Sequence, residues 1–167
     1  MDGLDNDAIA VIHAEVERAA HTTDSLPHLL QHCAESMVRH LDLAFARVWT
    51  LNATLDVLML QASAGRYTHL DGAHSRVSVG AFKIGRIAQQ RRAHLTNDVQ
   101  NDPAVDREWA SREGMIAFAG YPLMVDEDLV GVLGMFAKRQ LSLHETDGLQ
   151  SIAQLIANAI QQRQLAA

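Results

Sequence analysis

The chain has one cysteine in 167 residues, Cys33. A single thiol rules out an intrachain disulfide and any cysteine-rich metal site, and it fits a reducing, cytoplasmic setting. No apolar run approaches the ~20 residues that a bilayer-spanning helix needs. The opening stretch MDGLDND is acidic, whereas a secretory signal is basic and then apolar. No basic cluster exceeds a pair such as Arg91 and Arg92, and the formal net charge is −6. That balance argues against a nucleic-acid or anionic-membrane surface. Internal repeats and low-complexity tracts are also missing.

What is present reads as one soluble globular domain. The hydrophobic fraction is 48%, ordinary for a packed core. A chain of this length buries roughly 70% of its unfolded surface. Residues 7–20 carry helical spacing, with Ile9, Ile12, Val16 and Ala19 in a short heptad-like seam. After HTTDS, Asp24 or Ser25 caps a second helix, with Pro27 in its first turn. Over residues 26–41 that helix sets Leu26, Leu30, Cys33, Met37 and Leu41 on one face, opposite His28, His32, Glu35 and Arg39. Residues 44–51 and 56–65 read as strands, 66–76 as a loop, RVSVG as a short strand, 84–92 as a helix and 94–97 as another short strand. Asp106 caps a helix over 107–113 that Gly114 stops. Ser142 and Glu145 form a capping box opening a helix of about 23 residues, whose Leu149, Ile152, Ile156, Ala159 and Ile160 form an apolar face. Both ends read as helical, as in a piece of a longer chain.

Residues 114–136, GMIAFAGYPLMVDEDLVGVLGMF, form a hairpin that is apolar on both faces. Both therefore need cover. The terminal helices are expected on one face and the segment 66–113 on the other, giving an α+β layering around an antiparallel sheet. Gly120, Gly131 and Gly134 lie inside these strands, where glycine weakens packing. Two explanations stand: they admit the terminal helices closely, or they floor a small-molecule pocket. Pro122 lacks the N–H a ladder needs, so a bulge or an edge is expected nearby.

Several catalytic patterns fail on their residues. GAFKIGR approximates the phosphate-loop spacing, but Arg86 and Ile87 stand where lysine and a hydroxyl residue are required. Free N–H groups at the start of the 84–92 helix can still hold an anionic group. His28 and His32 have zinc-pair spacing, yet they share a polar stripe with Glu35 and Arg39 and read as a solvated face. Cys33 lies on an apolar face without a His/Asn constellation and reads as a buried structural thiol. QASAG lacks the first glycine of a nucleophile elbow.

Taken in order, IGRIAQQRRAHLTNDVQNDP and REGMIAFAGYPLMVDEDLVGVLGMF resemble the GAF domain family, and the resemblance runs from about residue 24 to 163. It implies a six-stranded antiparallel sheet with a helical bundle on one face and a ligand pocket on the other. It implies a cytoplasmic sensory or regulatory module of a signal-transduction protein such as a two-component system, binding rather than catalysing. Residues 1–22 then form a linker or dimerisation helix and 23–167 the domain proper. Homodimerisation is expected through helices 7–20 and 143–165, unless their seams only pack on their own sheet. An attached output would be a histidine kinase, a cyclic-dinucleotide enzyme or a transcriptional activator. The family's cofactors find little support here. No motif marks haem ligation by His69, His74 or His94. Cys33 lies on the bundle side, away from where bilin attachment occurs, and the sulfoxide-reductase branch needs several cysteines. The cyclic-nucleotide signature is missing too. Trp109, just before Phe118, can form an aromatic wall with Phe82 and Tyr67, or these aromatics can simply be core; if a ligand binds, they are its candidate lining, with Arg86, Asn97 and Asp98 as polar contacts, although Asn97 and Asp98 can instead close Asx turns. The alternatives to a sensor are a ligand-free dimerisation spacer and a thiol-dependent sulfoxide reductase.

Overall fold

The computed structural model describes the backbone over residues 2–166 and the side chains over 8–165. The elements follow the expected order. They are α1 (Asp2–Thr22), α2 (Leu26–Leu41), β1 (Phe45–Asn52), β2 (Val57–Gly65), β3 (Arg76–Ser78), α3 (Phe82–Gln90), β4 (His94–Thr96), a 3-10 turn (Val99–Asn101), α4 (Arg107–Glu113), β5 (Ala117–Val125), β6 (Asp128–Ala137) and α5 (Leu143–Ala166).

The helix ends obey local chemistry. Ser25 accepts the His28 N–H at 3.2 Å to start α2, with Pro27 in the first turn. Asp106 accepts the Trp109 N–H to start α4, and Gly114 ends it in the left-handed region. The capping box of α5 is reciprocal: the Glu145 N–H donates to Ser142 Oγ at 3.1 Å, and the Ser142 N–H donates to Glu145 Oε1 at 2.9 Å. One helix is shifted. α3 begins at Phe82, two residues before the expected start, because Gly80 turns at φ +94° and its N–H donates to the Gly85 carbonyl. It ends at Gln90 because Arg91 adopts φ 53°, a left-handed stop that an arginine does not advertise in sequence.

The sheet is six-stranded and antiparallel throughout, in the order β3-β2-β1-β6-β5-β4. Alternation along the strands divides two cores. Ala46, Val48, Ala119, Tyr121, Leu133 and Met135 face the back, where they pack with Ile12, Val16, Leu30, Met37, Leu149, Ile152 and Ile156 of α1, α2 and α5. Phe45, Trp49, Phe118 and Val132 face the front, under Ile84 and Ile87 of α3, Val99 and Ala110. Full burial of one such leucine or isoleucine contributes about 1.5–3 kcal/mol. The segment 66–113 therefore covers the front, as the two-sided hairpin requires. Pro122 pairs with Val132 of β6 beyond the three-residue reach of β4, so it stands where β5 has become the sheet edge. The ladder slips just after it, at Leu123/Met124.

The apolar seams of the terminal helices face inward. Ile12, Val16 and Ala19 of α1 and Leu149, Ile152, Ile156, Ala159 and Ile160 of α5 are buried in the chain's own bundle. The reason that glycines admit the terminal helices also needs correcting. A Cβ on Gly120 would meet Ile87 and Phe118, one on Gly134 would meet Ile84 and Trp49, and one on Gly131 would strike the backbone of β1. None of the three faces a terminal helix. The close helix approach is made elsewhere: a Cβ on Gly148 of α5 would lie 2.7 Å from Cδ1 of Ile9 in α1.

Candidate functional site

Between the front of the sheet and the 66–113 segment lies a cavity of about 600 Å³, within the range of small-molecule sites. Seven of the chain's eight Phe, Trp and Tyr residues line it; the eighth, Tyr121, packs on the back. Phe45 is the hub. Its ring meets Tyr67 edge-on at 4.9 Å and stacks on Phe136 at 5.2 Å, while Trp109 meets Phe136 edge-on at 5.0 Å. Phe118 closes on Phe136 at 4.9 Å. Such pairs add about 0.5–1.5 kcal/mol beyond area burial. The Trp109 indole N–H donates to the Tyr67 hydroxyl at 3.1 Å, and that of Trp49 donates to the His74 carbonyl at 2.8 Å. Phe82 stands at the rim, 59% exposed, beside the His74 ring. Its φ is +55°, an unusual conformation for a bulky residue. Gly134 lies on the floor, where even one methyl would lie 3.0 Å from Ile84.

Cationic groups interrupt the aromatic wall. Arg47, on β1 between Phe45 and Trp49, is 7% exposed. It donates from Nε to Ser63 Oγ at 2.9 Å and approaches His69 Nε2 at 3.3 Å. Lys83, from the first turn of α3, holds its ammonium 4.3 Å from the Phe118 ring centroid and donates to Asp102 Oδ2. Burial lowers the Lys83 ammonium below its ordinary value, while Asp102 opposes that effect. Asp102 also accepts from the Ala104 N–H at 2.9 Å and lies 2.8 Å from His94 Nε2. Burial alone would raise the Asp102 carboxyl, but the hydrogen bonds from Lys83, Ala104 and His94 outweigh it and hold the group at about 2. A second, smaller cleft of about 420 Å³ lies at Asp42, Arg66 and Arg139. It has no aromatic wall, and its Arg66 and Arg139 are paired with Glu113 and Glu145.

The profile of the GAF_2 family, described as GAF domain, matches residues 23–161. The chain belongs to the GAF domain family. No curated protein sequence matches it. Among solved structures, the GAF domain of a phosphoenolpyruvate-protein phosphotransferase from Coxiella burnetii superposes with a TM-score of 0.79 at 16% identity, covering 95% of each chain. The A. aeolicus nlh2 GAF domain in an inactive state gives 0.79 at 14%, covering 95% of this chain and 99% of that one. The free methionine-R-sulfoxide reductase of Neisseria meningitidis, in complex with its substrate, gives 0.75 at 15%, covering 95% and 93%. At these identities the similarity is one of fold.

In this GAF domain Tyr67, Phe82, Trp109 and Phe118 come together at the cavity. The three polar candidates do not. Arg86 is exposed on α3 and does not line the cavity. Asp98 accepts from the Asn101 side chain at 2.9 and 3.0 Å, and its own N–H is held by Thr96. Asn97 reaches the other way: its amide donates to the Leu141 carbonyl at 3.0 Å and accepts the Leu141 N–H at 2.8 Å, just before α5. Loop residues of this kind satisfy nearby backbone, which competes with any ligand. His28 and His32 are exposed, and no group of three metal-ligating side chains occurs among the described residues. Sequence reasoning missed Arg47, Lys83, Asp102, Phe45, Trp49 and Phe136. The signal for β1 was available, because Phe45, Arg47 and Trp49 alternate and so share the sheet face that 66–113 covers. The Lys83–Asp102 pair, 19 residues apart, carried no local signal.

Proposed function

We propose that this GAF domain is a cytoplasmic regulatory module that binds a small molecule in the front cavity and performs no catalysis itself. The observation that carries this reading is the concentration of seven of eight aromatic residues around one cavity, where an ordinary core would distribute them. A ligand preferring one arrangement of the 66–113 segment would shift the population toward it. Hydrogen bonds on either side of the short β4 strand lead from there toward the start of α5. Lys83 at the cavity wall holds Asp102, Asp102 holds His94 at the start of β4, and Asn97 just past its end holds Leu141. The receiving element would be an output domain such as a histidine kinase, a cyclic-dinucleotide enzyme or a transcriptional activator.

Homodimerisation through α1 and α5 belongs to the same proposal, on their outward faces, where Ala10, Val11, Ala14 and Leu165 are exposed. The sulfoxide-reductase alternative is disfavoured by Cys33. It is buried in the bundle behind the sheet, and burial pushes its thiol up to about 12, far from the thiolate that such chemistry needs.

A thermal-shift screen of the purified protein with nucleotides and small carboxylates tests the reading, alongside native mass spectrometry for a co-purified compound. At a hundredfold excess over Kd a ligand adds about 2.7 kcal/mol, or roughly 5–10 °C in Tm for a domain of this size. No shift across the panel and no bound mass would leave the dimerisation spacer as the better description.

A further inference from the structure

We propose that the cavity takes a monoanionic organic ligand, a carboxylate on a flat aromatic body, with its charged end on Arg47. This rests on the receptor reading above and narrows it to one ligand chemistry.

The argument begins with the charges of the cavity wall. Lys83 is answered by Asp102. Arg112 lies 3.9 Å from Glu113 and is largely exposed. Asp106, the one carboxylate among the lining residues, accepts the Trp109 N–H at the start of α4. Arg47 is different. Its polar partners are Ser63 Oγ, His69 Nε2 and the His69 carbonyl at 3.4 Å, and none is a carboxylate. No ion pair includes it among the described residues. A buried charge is ordinarily paired, and a guanidinium presents a planar fork suited to a carboxylate. Arg47 is thus the buried cation of the cavity wall that has no carboxylate partner, and it suits the negative end of a ligand. Its effect reaches His74: desolvation, and then the charge of Arg47, pull that imidazole below its ordinary value.

The walls define the rest of the ligand. Opposite Arg47 across the β1–β6 ladder stands Gly134, so the floor beside the guanidinium carries no side chain. Around that space are the rings of Phe45, Trp109, Phe118 and Phe136. The two indole N–H groups are already donated, to His74 and to Tyr67. The two indoles therefore offer flat apolar contact and no spare donor to the polar edge of a base, which favours an arylcarboxylate over a nucleotide.

Isothermal titration calorimetry with a matched pair decides the matter: indole-3-acetate, an anion, and indole-3-acetamide, its neutral counterpart. Wild-type protein is expected to bind the acid about tenfold more tightly or better, the scale of a hydrogen bond to a charged group. Arg47→Met should bring the acid to within about twofold of the amide, because the charge-assisted contact is lost, and should weaken the amide far less than the acid. Arg47→Lys should restore part of the preference. Thermal melts of both variants verify folding, and the wild-type comparison stands even if Arg47→Met does not fold. Equal binding of acid and amide to wild type would overturn the anion assignment and leave the receptor reading intact. Tighter binding of cyclic GMP than of the acid would overturn the arylcarboxylate. Failure of all three probes to bind at millimolar concentration would overturn the inference alone, since the receptor reading falls only if the broad panel and the native mass spectrum are also blank.

Discussion

Replacing Asp102 by asparagine should destabilise the domain sharply at pH 7, and the size of the effect follows from Lys83. In the native protein the Lys83 and Asp102 side chains are only 9% and 7% exposed, and the ammonium lies against the Phe118 ring. The substituted amide would keep the shape and remove the charge. The ammonium would then be buried without a counterion, a defect that costs about 3–5 kcal/mol. Deprotonation sets the ceiling. Removing a lysine's proton at pH 7 rather than at its ordinary 10.5 costs about 5 kcal/mol at 1.36 kcal/mol per pH unit. The two figures agree, and the second makes the deficit depend on pH. In Asp102→Asn the folded state releases its Lys83 proton more readily than the unfolded state does. The unfolded state binds more protons, so stability rises with pH. Urea denaturation should therefore show a deficit of about 3–5 kcal/mol at pH 7 that shrinks by about 1 kcal/mol per unit toward pH 10. Adding Lys83→Met should recover most of it, since a methionine suits the face of Phe118. A deficit below about 1 kcal/mol, the scale of an exposed pair, or one flat across this pH range, would refute the argument.

Acid should act on the same carboxylate in the native protein. Asp102 is held at about 2 against an ordinary 3.8, so the stability its charge supplies is complete above the ordinary carboxylate range and disappears as pH falls through about 2; acid titration of stability for wild type against Asp102→Asn measures it. Asn97→Ala leaves the Leu141 N–H and carbonyl without their partner, a loss of about 2 kcal/mol, and hydrogen exchange should accelerate at Leu141 through Glu145 while β1 and β2 stay protected. Phe118→Ala should cost about 3–5 kcal/mol in chemical denaturation, whereas Phe82→Gly, at an exposed rim position with positive φ, should change stability by less than about 1 kcal/mol, because relief of the left-handed backbone offsets the lost ring. Gly134→Ala should fold with stability within about 1 kcal/mol of wild type, since only the tip of Ile84 must give way, yet weaken indole-3-acetate in calorimetry.

Most of the architecture was legible because it depends on periodicity and caps. The hairpin with two apolar faces required a layer on each side, and the Ser142–Glu145 box and Asp106–Gly114 pair marked helix ends by local chemistry. The aromatic part of the cavity was half legible. Tyr67, Trp109 and Phe118 fall on the expected segments, and alternation along β1 could have added Phe45, while the stacking of Phe136 on it depends on a register that only the assembled sheet reveals. Polar side chains were the least legible. Asn97, Asp98 and Arg86 occupy a suggestive loop and helix, but Asn97 and Asp98 are taken by backbone and by Asn101, and Arg86 lies outside the cavity lining. Two of the polar groups that do meet the cavity, Arg47 and Lys83, sit in apolar stretches and are brought there by strand alternation and by the unheralded start of α3 at Phe82.

Ile9 seated at Gly148 has a mechanical consequence. The far end of the same helix pair is tied as well, because Arg163 of α5 donates to the Ala20, Thr23 and Asp24 carbonyls at the end of α1. Pinned at both ends, α1 and α5 run side by side in the same direction as a strut of about 30 Å. Neither helix can slide past the other without lifting the isoleucine from its notch or stripping those carbonyls. A push applied to the start of α1 or the end of α5 is thus transmitted along the pair as one rigid rod.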